Sequence, residues 1–326
     1  MNLSIPKTCF FLIVVQFAFA SRISLNITTN PELSSSHMSH SKTLEFELIQ
    51  ANPSAYLANI KHPQLDVLPQ QRDLGMANVP VLDQGRHGSC VTFAITASLN
   101  ALQHLGHYYS QLCFLQHGSY LYQQGVGLSG WDGLNANAAL KRIKTYGLMN
   151  NTQQHSYGCG GLTNYPLKRE HTGEMSTSDY RLYAKIPQFS HQLLFSPTTL
   201  GRNKTNLIKQ SLNDGHRVLI SALFARADLG IVGALAKHHY ANDSWIINDD
   251  IINDINNQQS FPGHMMIVTG YDDTLIAKDK NGKQQRGLLI IRNSWGAYTG
   301  DHGTFYMSYD YVNALVQNAY ALKAAA

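Results

Sequence analysis

Residues 84–106 read QGRHGSCVTFAITASLNALQHLG. From Ser89 to Leu105 the small residues Ala94, Ala97 and Ala101 recur at helical spacing, and Ile95, Leu99, Leu102 and Leu105 fill the positions between them. That pattern predicts a helix that is apolar all round and therefore buried at the centre of a domain, closed by Gly106. Cys90 stands at its start. A thiol there lies at the positive end of the helix dipole, beside N–H groups with no intrahelical acceptor, which favours the thiolate. Gly85 and Gly88 suit a tight turn that other backbone can approach closely. An inert core cysteine would need neither glycine.

A thiolate that attacks a carbonyl needs a proton shuttle. Of the 15 histidines, His264 in PGHMMIVTGYDD is the best placed, because it opens a wholly apolar strand. Asn293 ends a second strand, in IIRNSWG, where a neutral amide can accept the ring N–H and fix the tautomer. Two further helices are expected, Asn135 to Tyr146 before Gly147 and Thr205 to Asn213 before Gly215. Beyond Arg217 come short apolar runs, Val218 to Phe224, His264 to Gly270, Leu288 to Ile291 and Thr304 to Tyr309, separated by turn signals such as Asp272 and Asn281-Gly282. Helices first and strands later imply an α+β fold of two subdomains with a groove between them.

The chain has 326 residues, 44% hydrophobic and 14% charged. The charged share is well below the roughly 25% of an ordinary soluble domain, and its net charge of +4 comes from scattered Lys and Arg. No run has the basic density of a nucleic-acid surface. Lys7, the apolar stretch Cys9 to Phe17 and the ending Ala18-Phe19-Ala20 read as a signal peptide, residues 1–20; the alternative is an N-terminal strand. The next most apolar region, near Val218 to Ala236, is interrupted by Arg226 and Asp228, so no membrane span is expected. A secreted or extracytoplasmic location follows, whether extracellular, periplasmic or lysosome-like. Processing would leave Cys90, Cys113 and Cys159, an odd number, in which two can pair and the third is reactive or idle.

Gln84 and Cys90 in QGRHGSC, His264 in GHMMIVTGYDD, and Asn293 with Trp295 in NSWG, in that order, resemble the papain-like cysteine peptidases, as an atypical, divergent or bacterial-type member. The resemblance runs from about Leu68 to about Tyr311. It implies a helical subdomain built on the nucleophile helix, an antiparallel β-barrel-like subdomain, and an active-site groove between them. It also implies Cys90 as nucleophile, His264 as general base and acid, Asn293 as its orienter, Gln84 as oxyanion donor beside the Cys90 N–H, and Trp295 as a shield over the His264–Asn293 hydrogen bond. Protein or peptide substrates, no cofactor, no metal and a monomer are expected. With Cys90 reserved for catalysis, Cys113 pairs with Cys159.

Several features depart from the family. Val91 replaces a usual Trp, and His87 replaces a cysteine that many members place in a disulfide. His264 and Asn293 lie 174 and 203 residues after Cys90, beyond the roughly 130–150 of the best-known members. An insertion is expected within Arg226 to Pro262, and a hairpin around Asp279 to Lys283. Two other functions compete: a catalytically silent binding protein of the same fold, and a non-peptidase amide hydrolase such as a peptidoglycan hydrolase. Zinc on His104 with His107, or His238 with His239, lacks any H-E-x-x-H or paired C-x-x-C. Asn26, Asn150, Asn203 and Asn242 occupy N-x-[ST] sequons. The peptidase domain is assigned to 64–326. Residues 21–63 form an N-terminal extension, in which Ile23, Leu25 and Ile27 pair as a strand with Leu44, Phe46 and Leu48. A helix from Pro53 to about Ile60 follows, and the whole docks on the domain as an inhibitory segment or an appendage.

Overall fold

The computed structural model of the full chain describes residues 68–168, 173–197, 203–224, 233–235, 243–257, 261–279 and 282–325, with three short strands nearer the N-terminus. Those strands are β1 (Leu12–Val15), β2 (Arg22–Thr28) and β3 (Leu44–Glu47). β2 is antiparallel to both others, with Ile23 opposite Phe46 and Leu25 opposite Leu44. β1 falls within the segment read as a signal peptide and also pairs with Phe261 and Pro262. The helix expected at Pro53 to Ile60 lies outside the described residues.

After β4 (Gln71–Asp73) the chain enters α1 (Cys90–Leu102), buried at every residue through Ala101. The helix stops three residues short of Leu105. His104 takes a left-handed φ of 55°, and the Leu105 N–H turns back to the Asn100 carbonyl at 2.9 Å. Four helices follow, α2 (Gln111–Gln123), α3 (Ala136–Tyr146), α4 (Asn151–Tyr157) and α5 (Thr177–Tyr183), of which α2 and α3 pack on α1 and α5 packs on α2. Each begins on a side-chain cap, from Ser110, Asn135, Asn150 and Ser176. Only α3 carries a stripe strong enough to read in advance; the others are set by caps and by tertiary burial. A disulfide joins Cys113 of α2 to Cys159, just beyond α4.

The core of this subdomain holds a buried histidine. His117 stacks on Tyr180 at 4.2 Å and meets the Tyr146 ring edge-on. Burial first, then the charges of Arg142 and Arg181, push its pKa down to about 4. A folded value below the unfolded one of about 6.5 means that the neutral ring stabilises the fold above pH 6.5. The stabilisation is lost as pH falls from there through 4. Urea midpoints of the wild type should therefore drop steeply across that window, and His117→Phe should flatten the drop. Equal pH slopes in the two proteins would contradict it.

The second half builds the sheet: β5 (Phe189–Phe195), α6 (Asn203–Asn213), β6 (Arg217–Leu223), β7 (Gly233–Leu235), β8 (Ser244–Trp245), α7 (Asp249–Asn256), β9 (Phe261–Asp279), β10 (Gln284–Arg292), β11 (Thr304–Ser308), α8 (Tyr309–Leu315) and β12 (Val316–Ala324). The long β9 organises it. Its first half pairs with β6, placing Ala222 opposite His264, and β10 lies along its other edge. Its far end pairs with β7, which joins β8, which joins β11. The cycle β9–β10–β11–β8–β7 makes a closed, barrel-like unit, antiparallel except where β8 runs parallel to β11.

Within the stretch Arg226 to Pro262, Ser244 and Trp245 form a barrel strand and α7 follows them. The last strand, β12, lies beyond Tyr311, where the family resemblance ends, and sits between β5 and β6. Its alanines conceal it from propensity, yet Ala319 and Ala321 are fully buried, where small side chains let layers approach. The hairpin at 279–283 is present, closed by the Asp279 N–H on the Lys283 carbonyl at 3.0 Å. α1 packs on β6, β9 and β12, its alanines sharing a core with Leu219, Met265, Ile267, Tyr320 and Leu322. Among the described residues no helix is long and apolar enough to cross a membrane.

Candidate active site

The turn before α1 is held from two sides. Gly85 has φ +58°, and a Cβ there would sit 2.2 Å from the Leu167 carbonyl oxygen; at Gly88 a Cβ would meet the Asp132 backbone at 2.9 Å. Both glycines are therefore required by close backbone approach. Gln84 begins the turn, 1% exposed. Its N–H donates to the Ser294 carbonyl at 2.9 Å, and its Oε1 accepts from the Ser294 hydroxyl at 2.7 Å. One hydrogen of its Nε2 goes to the His87 carbonyl at 2.8 Å, and the second makes no hydrogen bond to the described residues. The Gly296 N–H also reaches the Leu82 carbonyl at 3.0 Å. The turn leading to Cys90 is thus stitched to the segment that follows β10.

That segment carries Asn293, 3% exposed. Its Oδ1 accepts from the Ser294 N–H at 2.8 Å, and a backbone N–H can only donate, so the amide orientation is fixed. The same oxygen lies 2.8 Å from Nε2 of His264. Nε2 must then carry the proton, which leaves Nδ1 as the basic nitrogen, buried and without a hydrogen bond among the described residues. Burial pushes the ring down to about 4, against the opposing pull of the Asn293 hydrogen bond. At neutral pH it is an uncharged base.

Aromatic rings enclose the pair. Trp295 stacks on His264 at 4.9 Å and Phe224 lies tilted at 5.3 Å. Trp245 and Phe305 back the Trp295 ring at 6.3 and 5.9 Å. Such a box excludes water and strengthens the hydrogen bond inside it. Phe224 and Trp245 escaped the sequence reading, as did Ser294, although Ser294 lies inside the NSWG motif. Trp245 belongs to the stretch that carried no recognisable motif.

Cys90 is the first residue of α1 and 1% exposed. Its sulfur is disulfide-bonded in the full chain; the expectation of an unpaired Cys90 applies to the chain without residues 1–20. α1 packs against the strand that bears His264. Phe93 and Ala94 of its first turn line a small crevice together with Met265, Asn293 and Ser294. Among the described residues no group of three or more His, Cys, Asp or Glu is placed to hold a metal; His107 instead hydrogen-bonds Gln111 at 3.2 Å. His238 and His239 lie outside the described residues.

No family model and no curated protein sequence matches the chain. Solved structures do. Xylellain, a cysteine protease from Xylella fastidiosa, superposes with a TM-score of 0.50 at 18% identity, over 80% of this chain and 88% of its own. A structure from the mite allergens Blo t 1 and Der p 1 gives 0.51 at 16% identity, over 84% and 78% of the two chains. The chain has the α+β, two-subdomain fold of the papain-like cysteine proteases.

Proposed function

We propose that the chain is a secreted or otherwise extracytoplasmic cysteine endopeptidase, with Cys90 as nucleophile. The observation that carries this reading is the His264–Asn293 pair, whose amide orientation leaves Nδ1 of a buried, neutral imidazole as the available base. In the reduced protein the thiol proton passes to His264. The thiolate charge then raises the ring's pKa above its value in the uncharged site. The sulfur attacks a peptide carbonyl, and the resulting oxyanion takes hydrogen bonds from the second Gln84 Nε2 hydrogen and from the Cys90 N–H. As the C–N bond breaks, His264 gives its proton to the leaving amine, and a thioester remains on Cys90. The ring then takes a proton from water, which attacks the thioester and releases the acid. Asn293 holds the ring throughout, and Trp295 keeps solvent from their bond.

The apolar leader ending at Ala20 and the Cys113–Cys159 disulfide support the extracytoplasmic location. The test is cleavage of a fluorogenic peptide by the full chain under thiol reduction. Gln84→Ala should lower kcat/KM by about ten- to a thousandfold, as expected for one oxyanion donor. Absence of hydrolysis by the reduced wild type, with Cys90 still alkylated, would overturn the enzyme in favour of a binding protein.

A further inference from the structure

Resting on that reading, we infer that Tyr165 is a positioning residue for the oxyanion-binding turn, its hydroxyl holding Gln84 and Ser89 at a fixed separation. The hydroxyl lies 3.0 Å from the Gln84 carbonyl oxygen and 2.9 Å from the Ser89 Oγ. A carbonyl can only accept, so the phenol proton goes to Gln84 and the Ser89 hydroxyl donates to the phenol oxygen. These two contacts bracket the turn: Gln84 carries the side-chain donor, and Ser89 immediately precedes the Cys90 N–H.

The rest of the same loop grips the residues between them. The Pro166 carbonyl lies 2.8 Å from the His87 Nε2, and the Leu167 carbonyl accepts from the Arg86 N–H at 3.0 Å. Gln84, Arg86, His87 and Ser89 are each bonded to Tyr165, Pro166 or Leu167. The tyrosine ring is itself immobilised, stacked on Trp131 at 5.6 Å and edge-on to Phe93 and His87 at 5.0 and 5.7 Å. Burial raises its pKa above the ordinary tyrosine value, so it remains a donor across the working pH range. A donor held by such a clasp keeps its aim at the developing oxyanion, and misplacement of about 1 Å can cost on the order of a hundredfold in rate.

Tyr165→Phe removes one oxygen and keeps every ring contact. In the reduced full chain it should lower kcat on a peptide amide by about ten- to a hundredfold, with KM within twofold of wild type. Iodoacetamide alkylation of Cys90 forms no oxyanion, and its rate should stay within about twofold because the thiolate is untouched. Combined with Gln84→Ala, the substitution should cost less than it does alone, since one of the donors it aims is gone. Unchanged kcat, or hydrolysis and alkylation falling in parallel, would overturn the inference while leaving the peptidase reading intact. A reduced wild type that does not hydrolyse peptides removes both.

Discussion

Cys90→Ala should abolish peptide hydrolysis, and no reductant should restore it. The wild-type chain should behave differently, cleaving the peptide once its thiol is reduced. Loss of a covalent nucleophile removes the step that every other group serves, so the drop should be on the order of 10⁵-fold or more. In the proposed reaction the helix start supports the thiolate, and His264 supplies the base. A time course of peptide cleavage with and without dithiothreitol, for both proteins, reads the result directly. Cleavage by reduced Cys90→Ala at the wild-type rate would move the chemistry to another residue.

Removing the second disulfide weakens the fold rather than the chemistry. Cys113 and Cys159 are both fully buried and are 46 residues apart. A loop of that size limits the unfolded chain enough to contribute about 4 kcal/mol in the chain-entropy account. The bond ties α2 to the turn at 158–162, where Cys159 exchanges backbone hydrogen bonds with Leu162, and it shares a core with Leu112, Leu115, Trp131, Met149 and Tyr180. The double variant Cys113→Ala, Cys159→Ala should lose about that amount by urea unfolding at neutral pH. A loss below about 1 kcal/mol would show that packing alone holds this corner.

Much of the candidate site is legible in the sequence because the signature of each residue is local. A cysteine at a helix start after a glycine turn, a histidine opening an apolar strand and an asparagine in NSWG each leave a short signature. α3 could be read from its stripe, and β6, β9, β10 and β11 from their apolar runs. The short capped helices α4 and α5 leave almost no periodic signal. β5 and β12 were missed because strand pairing is a long-range property: the FSHQLLF and VQNAYALKA segments look unremarkable until β12 lies between β5 and β6. His104 ended α1 early through a backbone angle that no pattern announced.

The order of Cys90, His264 and Asn293, the chemistry each can perform, and the division into a helical and a stranded half all follow from residue type and neighbours along the chain, and so could be argued from the sequence. Which nitrogen of His264 is left to act as the proposed base could not. That depends on Ser294 donating to Asn293, on Trp295 and Phe224 closing over the ring, and on the Ser294–Gln84 exchange that joins residues 210 positions apart. The Tyr165 clasp is of the same kind, linking residues 81 and 76 positions apart. The orientation of a hydrogen bond and the exclusion of water are properties of groups that meet only when the chain is folded, and these decide how the turn, the ring and the helix start are aimed at one another.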